Sequence, residues 1–379
     1  MTGRCLVVSA VNFTEGGPLT VLRDFVDAAC TVLPAEWEIV VFLHDSALIT
    51  HNRPRLIAIP YARSSWSRRL RVEWFEFRGY ARKLRPDLWV SLHDISPNVG
   101  DCPQAVYCHN PSCFFRLGWR DGLFEPSLLV FQWAYGFLYR IRLKRNRAVI
   151  VQQEWLRERF RRWVGDSTQI VVAYPAVPTV EQRRQPQMRR HPGPATFLYP
   201  ALPRAFKNFE LICRAIQQLE SHCDWNSTVI LTLTGTENRY ARWLHRQFSS
   251  LRTVRFVGRQ TREQMKELYA SADCLIFPSR METWGLPISE AKAANMPMFV
   301  ADLAYSRETV GSYGAVDFID PYDPRALADK LLAFQSGAFN FEATIRSAPA
   351  EPFVRDWPSL IRLLAGLAVN TTAGCAGGP

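Results

Sequence analysis

Short runs of apolar, largely β-branched residues alternate along this chain with longer stretches whose apolar positions recur at helical spacing. In the first half the strand-type runs are Cys5–Ala10, Glu38–Leu43, Leu56–Pro60, Leu88–Leu92, Gln104–Cys108, Ala148–Val151 and Gln169–Ala173. Pro18–Leu33 reads as a helix entered through Gly16-Gly17, with Pro at a helix-start position. A second rhythm opens at Thr196–Tyr199 and continues through Thr228–Thr234, Val254–Val257, Cys274–Phe277, Met298–Ala301 and Val316–Ile319. Thr261 with Gln264 three residues on predicts a capping-box start for a helix through Tyr269. Strand–helix alternation of this kind is the pattern of parallel βαβ units. The expected fold class is therefore α/β, with two Rossmann-like domains whose parallel sheets face a central cleft. Open α/β sheets bind ligands at the carboxyl ends of their strands.

Between the two rhythms, Pro175–Pro194 is rich in Pro, Gln and Arg and has no apolar period. The boundaries read from this are a first domain over 1–175, a linker over 176–195 and a second domain over 196–352. A helical stretch, Pro358–Leu367, lies in a closing segment 353–369, and the Gly-rich tail 370–379 is expected to be disordered. The length of 379 residues fits two domains at roughly 100–200 residues each. Hydrophobic residues at 47% and charged residues at 21% exclude a disordered chain or a coiled coil. The longest nearly uncharged apolar run, Ser127–Tyr139, falls short of the ~20 residues that span a bilayer. Cys5–Val11 reads as a first strand and carries no signal-peptide pattern, so a cytoplasmic location is expected. Nine cysteines at irregular spacings read as free thiols of a reducing compartment.

Charge changes the picture locally. The net charge is +11, and residues 61–85 hold eight basic against two acidic groups, while 139–162 hold nine against two. Trp66, Trp74, Tyr80, Tyr139, Trp155 and Trp163 lie in or beside these stretches. Basic groups with interfacial aromatics suit peripheral attachment to an anionic membrane leaflet, on its inner face in the cell. A solvated helix face over core aromatics is the other reading. No RNA-recognition motif accompanies the charge, and no nucleic-acid partner is expected.

The chemistry is found by elimination and then by one dense motif. The sequence has no GxGxxG, no GxxxxGK[ST], no HExxH, no GxSxG and no Asp-x-Asp, so neither a dinucleotide nor a metal is expected. What stands out is Glu282-Thr-Trp-Gly285-Leu286-Pro287-Ile-Ser-Glu290, directly after the strand-type run Cys274–Phe277. Two carboxylates eight residues apart then flank a helix N-terminus, whose free N–H groups and positive dipole end can hold a phosphate. Ionised oxygens beside that site suit the hydroxyls of a ribose and a sugar. A carboxylate that complements a helix dipole and a surface loop residue would be the plainer account of the pair.

This stretch resembles the hallmark of retaining glycosyltransferase family 4, the GT-B fold enzymes that use nucleotide diphosphate sugars. The resemblance runs through Pro297–Val300, Ala301-Asp302-Leu303, Arg307-Glu308 and Asp320-Pro321, and back to Val257-Gly258 and Tyr199–Phe209. It implies that Glu290 holds the ribose hydroxyls and Glu282 those of the transferred sugar. Gly285, Leu286 and Pro287 would offer the sugar and diphosphate their helix start, and the segment at Gly258 would cradle the base. Lys207 would sit on the diphosphate. The Arg that many members carry after the first strand of this domain falls at Ala201 or Leu202 here, and Arg204 is the expected substitute. In the first half the likeness is looser. It implies that Gly16 and Gly17 let backbone approach the phosphate, that His109 lines the donor sugar, and that Asp94 lies on the acceptor side. A plain turn at Gly16-Gly17 and a structural role for His109 are the alternatives. The implied activity is metal-independent transfer, with retention, of a hexose (mannose or similar) from a UDP- or GDP-sugar. No cofactor is implied, and the acceptor would be a saccharide or lipid-linked saccharide of surface polysaccharide or lipopolysaccharide assembly. A sugar-nucleotide epimerase on the same fold is the alternative. The closing helix would pack back toward the first domain.

Overall fold

In this computed structural model, residues 3–14, 16–115, 118–176 and 192–369 are described. Seven strands of the first half, β1 (Cys5–Ser9), β2 (Glu38–Leu43), β3 (Arg55–Ala58), β4 (Leu88–Ser91), β5 (Gln104–Cys108), β6 (Ala148–Val151) and β7 (Gln169–Ala173), form one parallel sheet. Its order is β7-β6-β5-β4-β1-β2-β3, and the two-residue strand Phe353–Val354 extends it beyond β7. β1, β4, β5 and β6 are buried along their whole length, as continuous apolar runs in a parallel sheet covered on both faces should be.

The second sheet holds β8 (Thr196–Tyr199), β9 (Thr228–Leu231), β10 (Val254–Phe256), β11 (Cys274–Phe277), β12 (Met298–Ala301), β13 (Tyr313–Ile319) and β14 (Glu342–Thr344). Its order is β10-β9-β8-β11-β12-β13-β14, parallel except for the antiparallel pair β13–β14. Two α/β units with mostly parallel sheets are thus present, as the alternation of runs predicts. β14 and Phe353–Val354 were not expected: both are edge strands of two or three residues without a buried face, and neither leaves an apolar period in the sequence.

The chain divides into a first unit of Met1–Phe114, Trp133–Ala176 and Pro349–Pro379, and a second of Phe115–Gln132 and Val177–Ala348. The excursion 115–132 goes with the second unit for a physical reason. Asp121 pairs with Arg280 at 2.5 Å, and the Phe124 ring packs on Tyr240 at 5.3 Å and on Trp243 at 5.2 Å. The return of the chain to the first unit is equally specific. Arg157 donates to the carbonyls of Ala350 and Pro352, each at 2.6 Å. Trp357, at the head of the helix Trp357–Val369, meets Phe25 edge-on at 5.9 Å, and Leu360, Ile361 and Leu364 join the same core. Most of the expected linker, residues 177–191, and the tail 370–379 lie outside the described residues.

Candidate functional site

The second unit builds its site from two strand ends. After β8, a single 3-10 turn, Ala205–Lys207, leads through Asn208, at φ +62°, into the helix Phe209–His222. Three hydrogen bonds stitch this turn down. The Tyr199 hydroxyl donates to the Lys207 carbonyl at 2.6 Å, and Asn208 Nδ2 donates to the carbonyls of Pro321 (2.7 Å) and Pro278 (3.3 Å). After β11, the loop carries Glu282 and reaches Gly285, which stands at φ +85° as the cap of the helix Leu286–Ala293. A Cβ at Gly285 would be strained by that φ and would approach Phe277 Cε1 to 3.2 Å. Pro287 sits in the first turn, where its missing N–H costs nothing.

These two strand ends bring Lys207 and Glu282 together. Lys207 Nζ donates to Glu282 Oε1, with both side chains still open to solvent at 18% and 15%. The ammonium also lies 5.6 Å from the Phe206 ring and 5.9 Å from that of Phe277. A cation held by one carboxylate beside a helix start is an arrangement that an incoming phosphate can enter by exchange. Glu290, four residues into the helix, accepts a hydrogen bond from the Tyr269 hydroxyl at 2.5 Å. Burial pushes its carboxyl above the usual range, and the Tyr269 hydrogen bond and the Arg262 charge only partly offset this.

Arg204 is not free. Its guanidinium pairs with Glu125 at 2.5 Å while its side chain stays 48% exposed, and Leu202 is 63% exposed nearby in sequence. Gly258 stands at φ +75° and donates its N–H to the Leu233 carbonyl at 3.1 Å; a Cβ there would meet Thr234 Cγ2 at 2.8 Å.

The first unit places the other expected residues at its strand ends. Gly16, at φ +65°, begins the helix Gly16–Val32, and a Cβ on Gly16 or Gly17 would meet nothing within 4 Å. The protein's own packing therefore leaves Gly17 open to a side chain. Asp94 is buried at φ +72°. Its Oδ1 accepts from the His109 N–H (2.7 Å), the Asn110 N–H (3.1 Å) and the Tyr139 hydroxyl (2.8 Å). The His109 ring stands edge-on to Phe13 at 5.5 Å, with Nδ1 3.5 Å from Asp94 Oδ1.

Two sets of charged residues near these sites carry no signal of their own in the sequence. Asp121 and Glu125, four residues apart, bind Arg280 and Arg204. In the first unit, Arg69 and Glu73, also four apart, form a buried pair at 2.7 Å, and Arg69 donates to the His93 carbonyl at 2.7 Å. The i,i+4 spacing was visible, but it marks helix faces everywhere and so singles out nothing by itself.

The basic stretches separate on inspection. Along 61–85, Trp66 is 38% and Phe75 73% exposed, beside exposed Arg68, Arg71, Arg78 and Arg82. Beside 139–162 the aromatics serve packing instead: Tyr139 is buried, and Trp163 stacks on Phe114 at 4.9 Å. Tyr139 is therefore no interfacial aromatic, because its hydroxyl is used on Asp94. Among the described residues no helix is long and apolar enough to cross a membrane.

Similarity to known proteins falls on the same elements. Solved structures align with nearly the whole chain. They include a lipopolysaccharide outer core galactosyltransferase in its apo form (TM-score 0.59, 11% identity, 97% of this chain and 99% of that one). The Anabaena protein HepE in complex with UDP-glucose aligns with TM-score 0.57 and 14% identity over 97% of this chain and 99% of that one. The architecture is that of the GT-B glycosyltransferases. Residues 181–343 match the family model of glycosyl transferases group 1. The O-antigen chain mannosyltransferase B of Escherichia coli is 33% identical over 102 residues, 26% of this chain and 26% of that protein. D-inositol 3-phosphate glycosyltransferase of Corynebacterium urealyticum is 28% identical over 116 residues, 31% of this chain and 27% of that protein. The matched region thus spans about a quarter of each curated relative's length.

Proposed function

We propose that the protein is a glycosyltransferase that moves a hexose, mannose or a similar sugar, from a nucleotide diphosphate to a saccharide or lipid-linked saccharide. The pathway class would be surface polysaccharide or lipopolysaccharide assembly. The observation that carries this reading is the meeting of Lys207 with Glu282 at the start of the helix that bears Glu290. Lys207 would exchange its carboxylate partner for the diphosphate, and Glu282, released, would accept hydrogen bonds from the sugar hydroxyls. Glu290 would take the ribose hydroxyls, the helix start at Gly285–Pro287 the phosphate, and the Gly258 turn the base. Within the first unit, the reading keeps for His109 the lining of a sugar and for Gly16-Gly17 a backbone open to a phosphate. Asp94, engaged by three donors, would act by holding His109.

The reaction in this reading retains configuration and uses neither metal nor cofactor. The bond from the anomeric carbon to the diphosphate oxygen breaks, and the acceptor oxygen bonds to that carbon from the same face. The acceptor's hydroxyl proton passes to the departing phosphate oxygen. The protein supplies placement and charge stabilisation, so the cation on the leaving diphosphate carries the largest share. A screen of UDP- and GDP-sugars for slow hydrolysis without acceptor tests the reading and names the donor. Hydrolysis of one nucleotide sugar, lost in Lys207→Ala, supports it; no turnover and no binding of any of them would refute it. The exposed Trp66 and Phe75 among arginines favour attachment to an anionic membrane surface as well. Cosedimentation with anionic but not neutral vesicles, abolished by high salt, is the expected result.

A further inference from the structure

The Ala205–Lys207 turn closes two 3-10 bonds of its own, Lys207 N–H to the Arg204 carbonyl at 2.9 Å and Asn208 N–H to the Ala205 carbonyl at 3.2 Å. Its main chain is also gripped from outside by two charged side chains and one backbone N–H. Glu125 Oε1 accepts the Ala205 N–H at 3.0 Å while Oε2 pairs with Arg204 at 2.5 Å. On the other flank, Arg280 Nη2 donates to the Ala205 carbonyl at 2.9 Å, and the Arg280 N–H donates to the Phe206 carbonyl at 2.8 Å. Arg280 is itself fixed by Asp121 through two bonds, Nη2 to Oδ1 at 2.5 Å and Nη1 to Oδ2 at 3.2 Å. Asp121 Oδ2 also accepts the Gly118 N–H at 2.9 Å, which ties the carboxylate to the start of its own helix, Trp119–Phe124. One short stretch of chain, far from the turn in sequence, therefore acts on it twice, Glu125 directly and Asp121 through Arg280.

Arg280 stands two residues before Glu282 on the loop after β11. The clamp consequently joins the turn that carries Lys207 to the loop that carries Glu282. Its central pair is well sheltered, with Arg280 and Asp121 side chains 17% and 4% exposed. A bidentate Arg–carboxylate pair fixes orientation as well as distance, which a lysine in place of Arg280 could not do. Misplacing a reacting or binding group by about 1 Å costs about 10²-fold in rate, so a device that sets the Lys207–Glu282 geometry matters beyond folding.

We propose that Asp121, Glu125 and Arg280 are positioning residues for the diphosphate site, a role that rests on the glycosyltransferase reading above. They touch no substrate. They hold the turn so that the Lys207 ammonium meets the diphosphate, and they keep Arg204 parked beside it.

The test uses the full chain with Asp121→Asn, Glu125→Gln and Arg280→Lys, each measured by calorimetry against UDP, UMP, GDP and GMP and by thermal melting. A clamp that positions Lys207 should weaken the diphosphate far more than the monophosphate. Loss of about tenfold in affinity for the diphosphate, against less than about threefold for the monophosphate, is expected for one displaced charge-assisted contact. Glu125→Gln keeps an oxygen for the Ala205 N–H and carries the test if Asp121→Asn fails to fold. Asp317→Asn, which breaks the ion pair with Lys330 elsewhere in the unit, should leave the ratio unchanged. Variants that melt lower but keep the wild-type ratio would reduce the clamp to a structural contact and overturn the proposal. Wild-type protein that binds neither UDP nor GDP would overturn the glycosyltransferase reading itself, before any variant is compared.

Discussion

In the second unit, Lys207 and Glu282 face each other at the rim, each retaining some solvent exposure, and each is the other's only charged partner among the described contacts. In the first unit, Asp94 is buried and its Oδ1 is already shared by two backbone N–H groups and a tyrosine hydroxyl. Both regions are loops after parallel strands, and both carry a carboxylate beside a cationic or potentially cationic group. They differ in what the carboxylate can give up. Glu282 can trade Lys207 for ligand hydroxyls at little cost, because Lys207 then gains a phosphate. Asp94 can trade nothing without leaving buried donors unsatisfied. A pair that can exchange partners suits binding chemistry, whereas a carboxylate with every contact internal suits the placing of a neighbour.

Lys207→Ala should show the largest effect, a fall of about 10²–10³ in turnover, the scale of removing one preorganised donor from developing negative charge. Melting should stay near wild type, because the side chain is partly exposed and its alanine variant leaves Glu282 accessible to water. Glu282→Gln sharpens the comparison by its sign. It should lose turnover with the nucleotide sugar yet bind the free nucleoside diphosphate more tightly, since Lys207 no longer has a resident partner; weaker diphosphate binding would show that the pair does not exchange.

Asp94→Ala is expected to act through stability. Leaving its donors without an acceptor should cost about 1–3 kcal/mol, read as a lower midpoint in denaturant, with any loss of turnover following His109. An unshifted midpoint would show that Asp94 is freer than its contacts imply. Glu290→Ala should weaken donor binding by about 1–3 kcal/mol, the range for hydrogen bonds to a charged group.

A pH prediction follows from the raised carboxyl of Glu290. Its protonation on acidification begins above the ordinary glutamate range, so nucleotide affinity should fall from a higher pH than a surface carboxylate would give. Glu290→Gln should remove that limb of the profile. The sign for folding is opposite: a buried acid whose pKa is raised binds its proton more readily folded than unfolded, so this group favours the folded state as pH falls. Affinity should therefore drop without a matching drop in melting temperature on its account. The smallest effect is expected from Arg204→Ala, since a half-exposed Arg already paired with Glu125 contributes about 0–1 kcal/mol.

How much of this was legible in the sequence depended on the kind of signal. β2, β5, β6, β7, β8, β11 and β12 appear with the expected bounds because parallel strands buried over all but at most their first residue leave nearly unbroken apolar runs. The capping box was equally plain, and Thr261 Oγ1 accepts from the Gln264 N–H at 3.2 Å. Glu282, Gly285 and Glu290 could be named because motif, strand and helix start are adjacent in the chain. Asp121, Glu125 and Arg280 could not, since their meaning lies in contacts spanning about eighty to 160 residues, 159 for Arg280 with Asp121 and 80 for Glu125 with Ala205. Tyr139 misled for the same reason: an aromatic beside arginines looks interfacial until its hydroxyl is seen on a buried carboxylate 45 residues away.

The central claim is that the turn bearing Lys207 receives the diphosphate of a nucleotide sugar. Calorimetric titration of wild type and Lys207→Ala with UDP and GDP tests it most directly. The account predicts that wild type binds one of the two and that the variant binds the same nucleotide at least about tenfold more weakly, with its fold intact. Equal affinity in the two proteins would contradict it.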